Sequence, residues 1–346
     1  LRYLSVTIVA ISMIVSLTVH NPVISRSIQI RLLERSFAGV VMVHAVYTSA
    51  MNHATVIATY SRRMRLALAD GREVQARIKG KRIKPVCGDL VDVQPIENEE
   101  DWLITGIAER RNELTRPNMR GQIEILAANI DYLIVVAAAE PKPDWFIVDR
   151  YLCAAEIMGI DACVIFNKSD LGTSSVLYEL DTYFDIGYDV VACSALTGEG
   201  IDNVRKLLAT HRAIIVGQSG VGKSSIINTL LGDDVQKTAE ISDKSREGRH
   251  TTVNSAMISL PSGGEIIDSP GVRDYAPALE SATIASKGFR EIRDAAQECR
   301  FANCRHLREP GCAVKDRCES GAISPRRYES FKRMVHLTEQ LADGKY

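Results

Sequence analysis

The sequence predicts a multidomain α/β protein in which a parallel-sheet domain follows a small β-barrel and precedes a helical module. Three observations predict this order: short alternating apolar segments over residues 52–112, apolar strand runs followed by polar loops over 113–285, and charged helical sequence with clustered cysteines over 286–346. A chain of 346 residues is long enough for two or three domains. Residues 1–50 precede them as an extension whose structure the sequence leaves open.

The predicted barrel consists of short strands such as Thr55–Thr59 and Glu73–Ile78. Nine basic residues against two acidic ones lie between Arg62 and Lys84, although the whole chain has a net charge of −1. A barrel with a basic face is a plausible RNA-binding surface, and a solvated basic face without a ligand is the alternative. Leu114–Pro117 is predicted to be the linker into the next domain.

A glycine-rich loop, Gly217–Ser224, matches the pattern G-x-x-x-x-G-K-[ST] between an apolar run and a predicted helix, Ser225–Leu231. Glycines allow the backbone to aim N–H groups at phosphate oxygens. Lys223 would contact the β and γ phosphates, and the Ser224 hydroxyl would bind Mg²⁺. A glycine turn without a ligand is the alternative, but it would not require Lys-Ser at the helix start. The loop therefore predicts nucleoside triphosphate binding.

Two further motifs follow strands and predict which base is bound. Asn167–Asp170 has the form N-K-x-D, and the Asp170 carboxylate can accept hydrogen bonds from guanine N1–H and the 2-amino group. Adenine offers no such donor pair, so ATP would leave the carboxylate unpaired. Ser194–Leu196 matches a loop whose backbone N–H contacts guanine O6. Either motif alone also occurs as an ordinary turn, but together they indicate GTP.

Downstream, Asp268–Gly271 has the form D-x-P-G at the end of another strand. Asp268 is expected to contact Mg²⁺ through water, and the Gly271 N–H to face the γ-phosphate. The polar stretch before it contains Gly248–Thr252, which predicts a switch loop in which Thr251 or Thr252 closes on Mg²⁺.

Val272 occupies the position at which Ras-like enzymes have a glutamine that orients the attacking water. Intrinsic hydrolysis should therefore be slow, and His250 is the local candidate to orient the water. A solvated loop histidine is the alternative interpretation.

The guanine motifs precede the phosphate loop here, whereas in Ras-like GTPases they follow the D-x-x-G element. This order predicts a circularly permuted P-loop GTPase domain, which keeps the sheet while moving the chain ends. The predicted GTP-binding residues are Asn167, Lys168, Asp170, Ser194, Ala195, Gly217, Gln218, Ser219, Gly220, Val221, Gly222, Lys223, Ser224, Ser225, Asp268 and Gly271. The predicted catalytic residues are Lys223, His250, Thr251 and Thr252, and the predicted magnesium site is Ser224 with Asp268.

Near the C-terminus, Cys299, Cys304, His306 and Cys312 form the pattern C-x₄-C-x-H-x₅-C. Three thiolates and one imidazole match a closed tetrahedral zinc site, which would be structural because no position is left for water. Free cysteines, or a disulfide in an exported protein, are the alternative. Eight cysteines in this length do not suggest a disulfide scaffold, and reduced thiols indicate the cytoplasm.

Five motifs in this permuted order resemble the RsgA family of small ribosomal subunit biogenesis GTPases. They are Asn167–Asp170, Ser194–Leu196, Gly217–Ser225, Gly248–Thr252 and Asp268–Gly271. The resemblance covers roughly residues 52–340. The resemblance implies an OB-fold at the barrel position, one structural Zn²⁺, and Mg²⁺ bound with GTP. It also implies that the partners are GTP or GDP and the maturing small ribosomal subunit with its 16S rRNA. We expect a cytoplasmic monomer.

The N-terminal segment does not fit this resemblance, because residues 3–24 contain no charged side chain and include an apolar stretch around Ile8–Val15. Taken alone, this segment would suggest a signal peptide or membrane anchor. Interspersed Ser and Thr residues lower its hydrophobicity, and export would separate the predicted GTPase from GTP. We expect an extension without membrane association.

Three functions follow from these observations. The first is a GTP-hydrolysing factor in late maturation of the small (30S) subunit, which couples rRNA binding and hydrolysis to subunit association or release. The second is a nucleotide-gated RNA-binding scaffold whose hydrolysis is incidental. The third, a membrane-tethered GTPase, rests only on residues 3–24.

Overall fold

The computed structural model describes residues 52–60, 63–80, 83–117, 122–232, 253–269 and 282–342. The predicted N-terminal extension lies outside these ranges, and so do four predicted site residues, His250, Thr251, Thr252 and Gly271.

The N-terminal strands form a closed five-stranded barrel. They are β1 (Asn52–Tyr60), β2 (Met64–Leu68), β3 (Glu73–Ile78), β4 (Leu90–Pro95) and β5 (Trp102–Ile107). Their order is β1-β2-β3-β5-β4, and a β1–β4 pairing closes the barrel. Alternation along β2 places Met64, Leu66 and Leu68 inside, because successive strand residues face opposite sides. The predicted OB-like barrel is confirmed.

The expected linker at Leu114–Pro117 is instead part of a strand, β6 (Glu113–Pro117), paired antiparallel with β7 (Ile123–Ala128). The linker interpretation was wrong because Leu114 is fully buried in the core shared with the next domain. Pro117 is compatible with the strand because it lies at its end.

The central domain alternates strands and helices. Its elements are β8 (Tyr132–Ala138), α1 (Trp145–Met158), β9 (Asp161–Asn167), α2 (Leu177–Asp185), β10 (Asp189–Ala192), α3 (Ile201–Leu208), β11 (Arg212–Gly217), α4 (Lys223–Leu231), β12 (Val253–Ser259) and β13 (Glu265–Asp268). The sheet order is β10-β9-β8-β11-β13-β12, parallel except for β12. All seven residues of β8 are buried, as expected for a parallel strand covered by helices on both faces. The permuted GTPase fold is confirmed.

The barrel and the central sheet are continuous, because β12 also pairs antiparallel with β1. The barrel strands and the strands of the central domain therefore belong to one 11-stranded sheet, in the spatial order β10-β9-β8-β11-β13-β12-β1-β2-β3-β5-β4. Val56 of β1 faces the barrel core, whereas Ile57 packs into the core of the central domain with Leu114 and Met257. No local pattern in the sequence predicts this pairing, since register between distant strands is set by tertiary packing.

In the part of the chain that the structure describes after β13, four helices follow, α5 (Ala282–Lys287), α6 (Arg290–Ala296), α7 (Ala313–Glu319) and α8 (Pro325–Ala342). We call residues 282–342 the C-terminal module and residues 299–312 the Cys/His loop. Phe289, Ile292 and Phe331 are buried in the module core. Helix α8 packs against the Cys/His loop, where the Tyr328 hydroxyl donates a 2.6 Å hydrogen bond to the His306 carbonyl.

A buried polar network joins α8 to the central domain. Asp149 on α1 is fully buried and accepts hydrogen bonds from Arg326 Nη1 (2.6 Å), Arg327 Nη1 (2.7 Å) and the Tyr183 hydroxyl (2.7 Å). Burial alone would raise the pKa of Asp149, but the charges of Arg327 and Arg326 lower it overall. Glu291 binds Arg327 from the other side. The network fixes α8 against α1 and α2.

Among the described residues, no helix combines the length and the apolar character that a membrane crossing requires.

Candidate nucleotide-binding site and metal cluster

The phosphate loop connects the end of β11 to the start of α4, as the sequence predicts. Gly217 and Gly222 have φ values of 139° and 91°, which side chains with a Cβ rarely adopt. A Cβ on Gly217 would lie 2.2 Å from the Val136 carbonyl oxygen, and one on Gly222 would lie 2.3 Å from Asn167 Nδ2. Glycine is therefore required at both positions by the neighbouring strands.

Side chains suited to phosphate and Mg²⁺ meet in a cavity of about 360 Å³ beside this loop, lined by Gly217, Ser219, Gly220, Gly222, Lys223, Ser224, Ser225, Asp268 and Ser269 among others. Lys223 Nζ donates hydrogen bonds to the carbonyl oxygens of Gly217 (2.8 Å) and Gln218 (3.0 Å). Burial raises the pKa of Asp268, and the positive charge of Lys223 partly offsets this. The lining of the cavity thus combines one lysine, one aspartate and four serines beside the glycine-rich loop.

The N-K-x-D loop is hydrogen-bonded directly to the phosphate loop. Asn167 Nδ2 donates to the Val221 carbonyl oxygen (2.9 Å), and Asn167 Oδ1 accepts from the Ala195 backbone N–H (3.0 Å). Lys168 Nζ donates to the carbonyl oxygens of Gly220 (2.9 Å) and Glu140 (2.6 Å). Asn167 therefore connects the phosphate loop to the Ser194–Leu196 loop.

Asp170 lies beside the second base motif. The buried Ser194 hydroxyl donates a hydrogen bond to Asp170 Oδ1, and the Ser169 N–H donates to the Cys193 carbonyl oxygen (3.0 Å). These contacts hold the carboxylate at the same edge of the sheet as the phosphate loop. Parallel strands bring their carboxyl ends together at that edge, so motifs distant in sequence meet there.

The structure thus brings together all predicted GTP-binding residues that it describes, while Gly271 and the switch residues His250, Thr251 and Thr252 lie outside the described ranges. Sequence reasoning missed the loop after β8. Its Glu140 carbonyl accepts from Lys168, and the Asp144 N–H donates to the Gln218 side chain (3.4 Å). No motif identifies this loop in the sequence.

The predicted metal ligands Cys299, Cys304, His306 and Cys312 also meet, with their ligand atoms all within 4.8 Å of one another. Cys299 Sγ lies 3.9 Å from Cys312 Sγ and 3.5 Å from His306 Nδ1. Burial and neighbouring sulfurs raise the pKa of Cys304 to about 12, and burial lowers the pKa of His306. The imidazole is therefore neutral, and this cluster could hold a metal ion.

Glu309 orients the ligand loop. Its carboxylate accepts backbone hydrogen bonds from Arg305 (3.2 Å), Leu307 (3.0 Å) and Arg308 (3.0 Å). His306 has a φ of 60°, which these contacts help to hold. Four further cysteines, Cys87, Cys153, Cys163 and Cys193, are all buried.

The family model and the known proteins that this chain resembles all point to one family. Residues 107–277 match the family model described as RsgA GTPase. The small ribosomal subunit biogenesis GTPase RsgA of Haemophilus influenzae (strain 86-028NP) is 40% identical over 268 residues, covering 75% of this chain and 76% of that protein. The protein of the same name from Hahella chejuensis is 38% identical over 294 residues, covering 83% and 84%.

Two solved structures share the fold. The crystal structure of YjeQ from Thermotoga maritima aligns with a TM-score of 0.66 and 26% identity, covering 83% of this chain and 98% of that one. YloQ, described as a circularly permuted GTPase, aligns with a TM-score of 0.64 and 24% identity, covering 85% and 97%.

Proposed function

This chain belongs to the RsgA GTPase family, and we propose that it hydrolyses GTP as a factor in biogenesis of the small ribosomal subunit. The observation that supports guanine binding most directly is the hydrogen-bonded connection from the phosphate loop through Asn167 to the loop that holds Asp170. That connection supports a single site in which Asp170 accepts hydrogen bonds from the guanine edge and the phosphate loop donates them to phosphate.

In this proposal, hydrolysis depends on positioning and charge neutralisation. The phosphate-loop amides and Lys223 stabilise negative charge on the transferring phosphoryl group, while a water attacks in line. Ser224 and Asp268, which line the same cavity, would hold Mg²⁺. When bound, Mg²⁺ neutralises charge on the phosphate oxygens.

The attacking water needs a group to orient it, and Val272 cannot do so. We assign this role to His250, with Thr251 or Thr252 closing on the γ-phosphate. The assignment rests on the sequence of the segment between the phosphate loop and β12.

We further propose that the Cys/His loop holds one structural zinc ion. Ligands at the usual Zn–S and Zn–N bond lengths of a tetrahedral site lie about 3.5–3.8 Å apart. The observed separations of 3.9 Å between Cys299 Sγ and Cys312 Sγ, and of 3.5 and 3.6 Å from these sulfurs to His306 Nδ1, are close to this spacing. The soft donor set supports zinc over Mg²⁺ or Ca²⁺.

Ribosomal RNA is the proposed partner of the barrel and the C-terminal module. Several barrel arginines, including Arg65, Arg72 and Arg77, form ion pairs with neighbouring carboxylates, so the positive field is weaker than the count of basic residues suggests. Exposed ion pairs contribute only about 0–1 kcal/mol, and a phosphate group could replace the carboxylate. On the Cys/His loop, Arg300 stacks over the exposed Phe301 ring, a combination that suits an unpaired base.

We also propose that the protein is a cytoplasmic monomer that binds GTP and GDP.

The test is turnover of GTP and of ATP, each with and without purified small ribosomal subunits. We expect slow GTP hydrolysis that the subunits stimulate, and no comparable ATP hydrolysis. The Lys223→Ala variant controls for contaminating hydrolases. GTP binding without any stimulation would instead favour the RNA-binding scaffold.

A further inference from the structure

Strand β12 lies between the barrel strand β1 and β13, the strand that ends at Asp268. Ala256 on β12 pairs with Ala58 on one side and with Asp268 on the other, and Asp268 pairs with Ile215 of β11. One row of paired residues therefore crosses from the barrel to the strand that leads into the phosphate loop. Since neighbouring strands are about 4.8 Å apart, Ala58 of the barrel is only about 10 Å from Asp268.

A buried hydroxyl pair lies beside this row. The Ser255 hydroxyl donates to the Ser269 hydroxyl oxygen at 3.0 Å, and the two residues are only 5% and 6% exposed. Ser255 pairs with Thr59 of the barrel, and Ser269 directly follows Asp268. Because a buried hydroxyl without a partner is costly, each serine constrains the other.

The geometry of these contacts restricts the end of β13. Asp268 is held on one side by its pairing with Ala256, and the backbone after it is held by the Ser269 side chain. A shift of β12 along β13 would change both constraints together, because interstrand register changes as a unit. Strand β1 pairs with β12, so a movement of β1 that carries β12 with it would reach both constraints.

We propose that Ser255 and Ser269 are positioning residues for Asp268, and that barrel strand β1 acts through them on the magnesium-binding side of the nucleotide site. This inference rests on the proposed function, because it assumes that Asp268 faces the Mg²⁺ bound with GTP. Coupling between two sites is reciprocal, so nucleotide binding must also change the stability of β1.

The first experiment measures the Mg²⁺ concentration that gives half-maximal GTP turnover in Ser255→Ala, Ser269→Ala and the double variant. Ser259→Ala is the matched control, because Ser259 lies on the same strand but is exposed and pairs with Glu265. We expect each single variant to need about two- to tenfold more Mg²⁺, the effect of one hydrogen bond. The double variant should need no more than either single variant, because both remove the same bond.

A purely structural role predicts a different result. The urea midpoint of the serine variants would then fall while their Mg²⁺ dependence stayed equal to that of the control. This outcome would overturn the positioning role.

The second experiment uses the unmodified full chain and does not depend on variants folding. Backbone hydrogen exchange is measured without nucleotide and with a non-hydrolysable GTP analogue plus Mg²⁺. We expect slower exchange in peptides covering residues 217–224, 253–259 and 52–60, and no change in β3 at 73–78, on the opposite side of β2 from β1.

Two contrary outcomes are distinguishable. Protection at 217–224 without protection at 52–60 would refute the coupling and leave the nucleotide site intact. Lack of protection at 217–224 would refute the proposed nucleotide site and the coupling with it.

Discussion

The Asp149→Asn substitution should destabilise the protein by about 3 kcal/mol at neutral pH. The change keeps the side-chain volume but removes the charge that Arg326 and Arg327 share. Breaking a buried ion pair typically costs roughly 3–5 kcal/mol. We expect the lower end of this range, because Glu179 still pairs with Arg326 and Glu291 still pairs with Arg327.

The assay is urea unfolding of the full chain, monitored by circular dichroism. The slope of the free energy of unfolding against urea concentration is compared between variants. Asp181→Asn is the control, because Asp181 lies on the exposed face of the neighbouring helix α2 and should change stability by less than about 0.5 kcal/mol. If Asp149→Asn lowers the free energy of unfolding by less than about 1 kcal/mol with an unchanged slope, the buried network does not fix the C-terminal module.

The stability that Asp149 contributes should also depend on pH, and it should decrease as the pH falls. The pKa of Asp149 is lower in the folded protein than the value of about 3.9 expected when unfolded. Its stabilising contribution is therefore fully present above about pH 4 and is lost as the pH falls through the folded pKa. The difference in the free energy of unfolding between wild type and Asp149→Asn should be constant from neutral pH to about pH 5 and shrink below about pH 4.

Three further predictions concern the nucleotide and metal sites. Lys223→Ala should weaken GTP binding by about 10- to 100-fold, measured by calorimetry, because it removes a charged hydrogen bond to phosphate; wild-type affinity would contradict the assignment of the phosphate loop. His250→Ala should retain GTP binding and lose most subunit-stimulated turnover, and unchanged stimulated turnover would exclude His250 from the mechanism. A strong chelator should remove one zinc ion per chain, measured by elemental analysis, and lower the melting temperature, because the metal stabilises the loop around Cys299 and Cys312; an unchanged melting temperature after metal loss would contradict a structural role.

The nucleotide site was largely predictable because its chemistry is local in sequence. Gly217–Ser224 and Asn167–Asp170 each contain, within eight residues or fewer, the strand end, the turn and the side chains that the site requires. The Cys/His cluster was predictable for the same reason, since its ligands lie within one short loop.

Contacts between distant segments were not predictable. The β1–β12 pairing depends on the register of two strands that share no motif, and the Asp149 network joins helices from different domains. The local sequence of Leu114–Pro117 predicts a linker, whereas its burial depends on pairing with strand β7, which is distant from any motif. In each case the missing information is tertiary packing, which overrides local preference.

The central claim is that the Asp170 carboxylate and the amide-lined phosphate loop form one guanine nucleotide site. Its most direct test is calorimetric titration of the full chain with GDP and with ADP under identical conditions. We expect GDP to bind at least about a thousandfold more tightly, because guanine can donate two hydrogen bonds to the Asp170 carboxylate and adenine offers no such donor pair. Comparable affinities for the two nucleotides would contradict it.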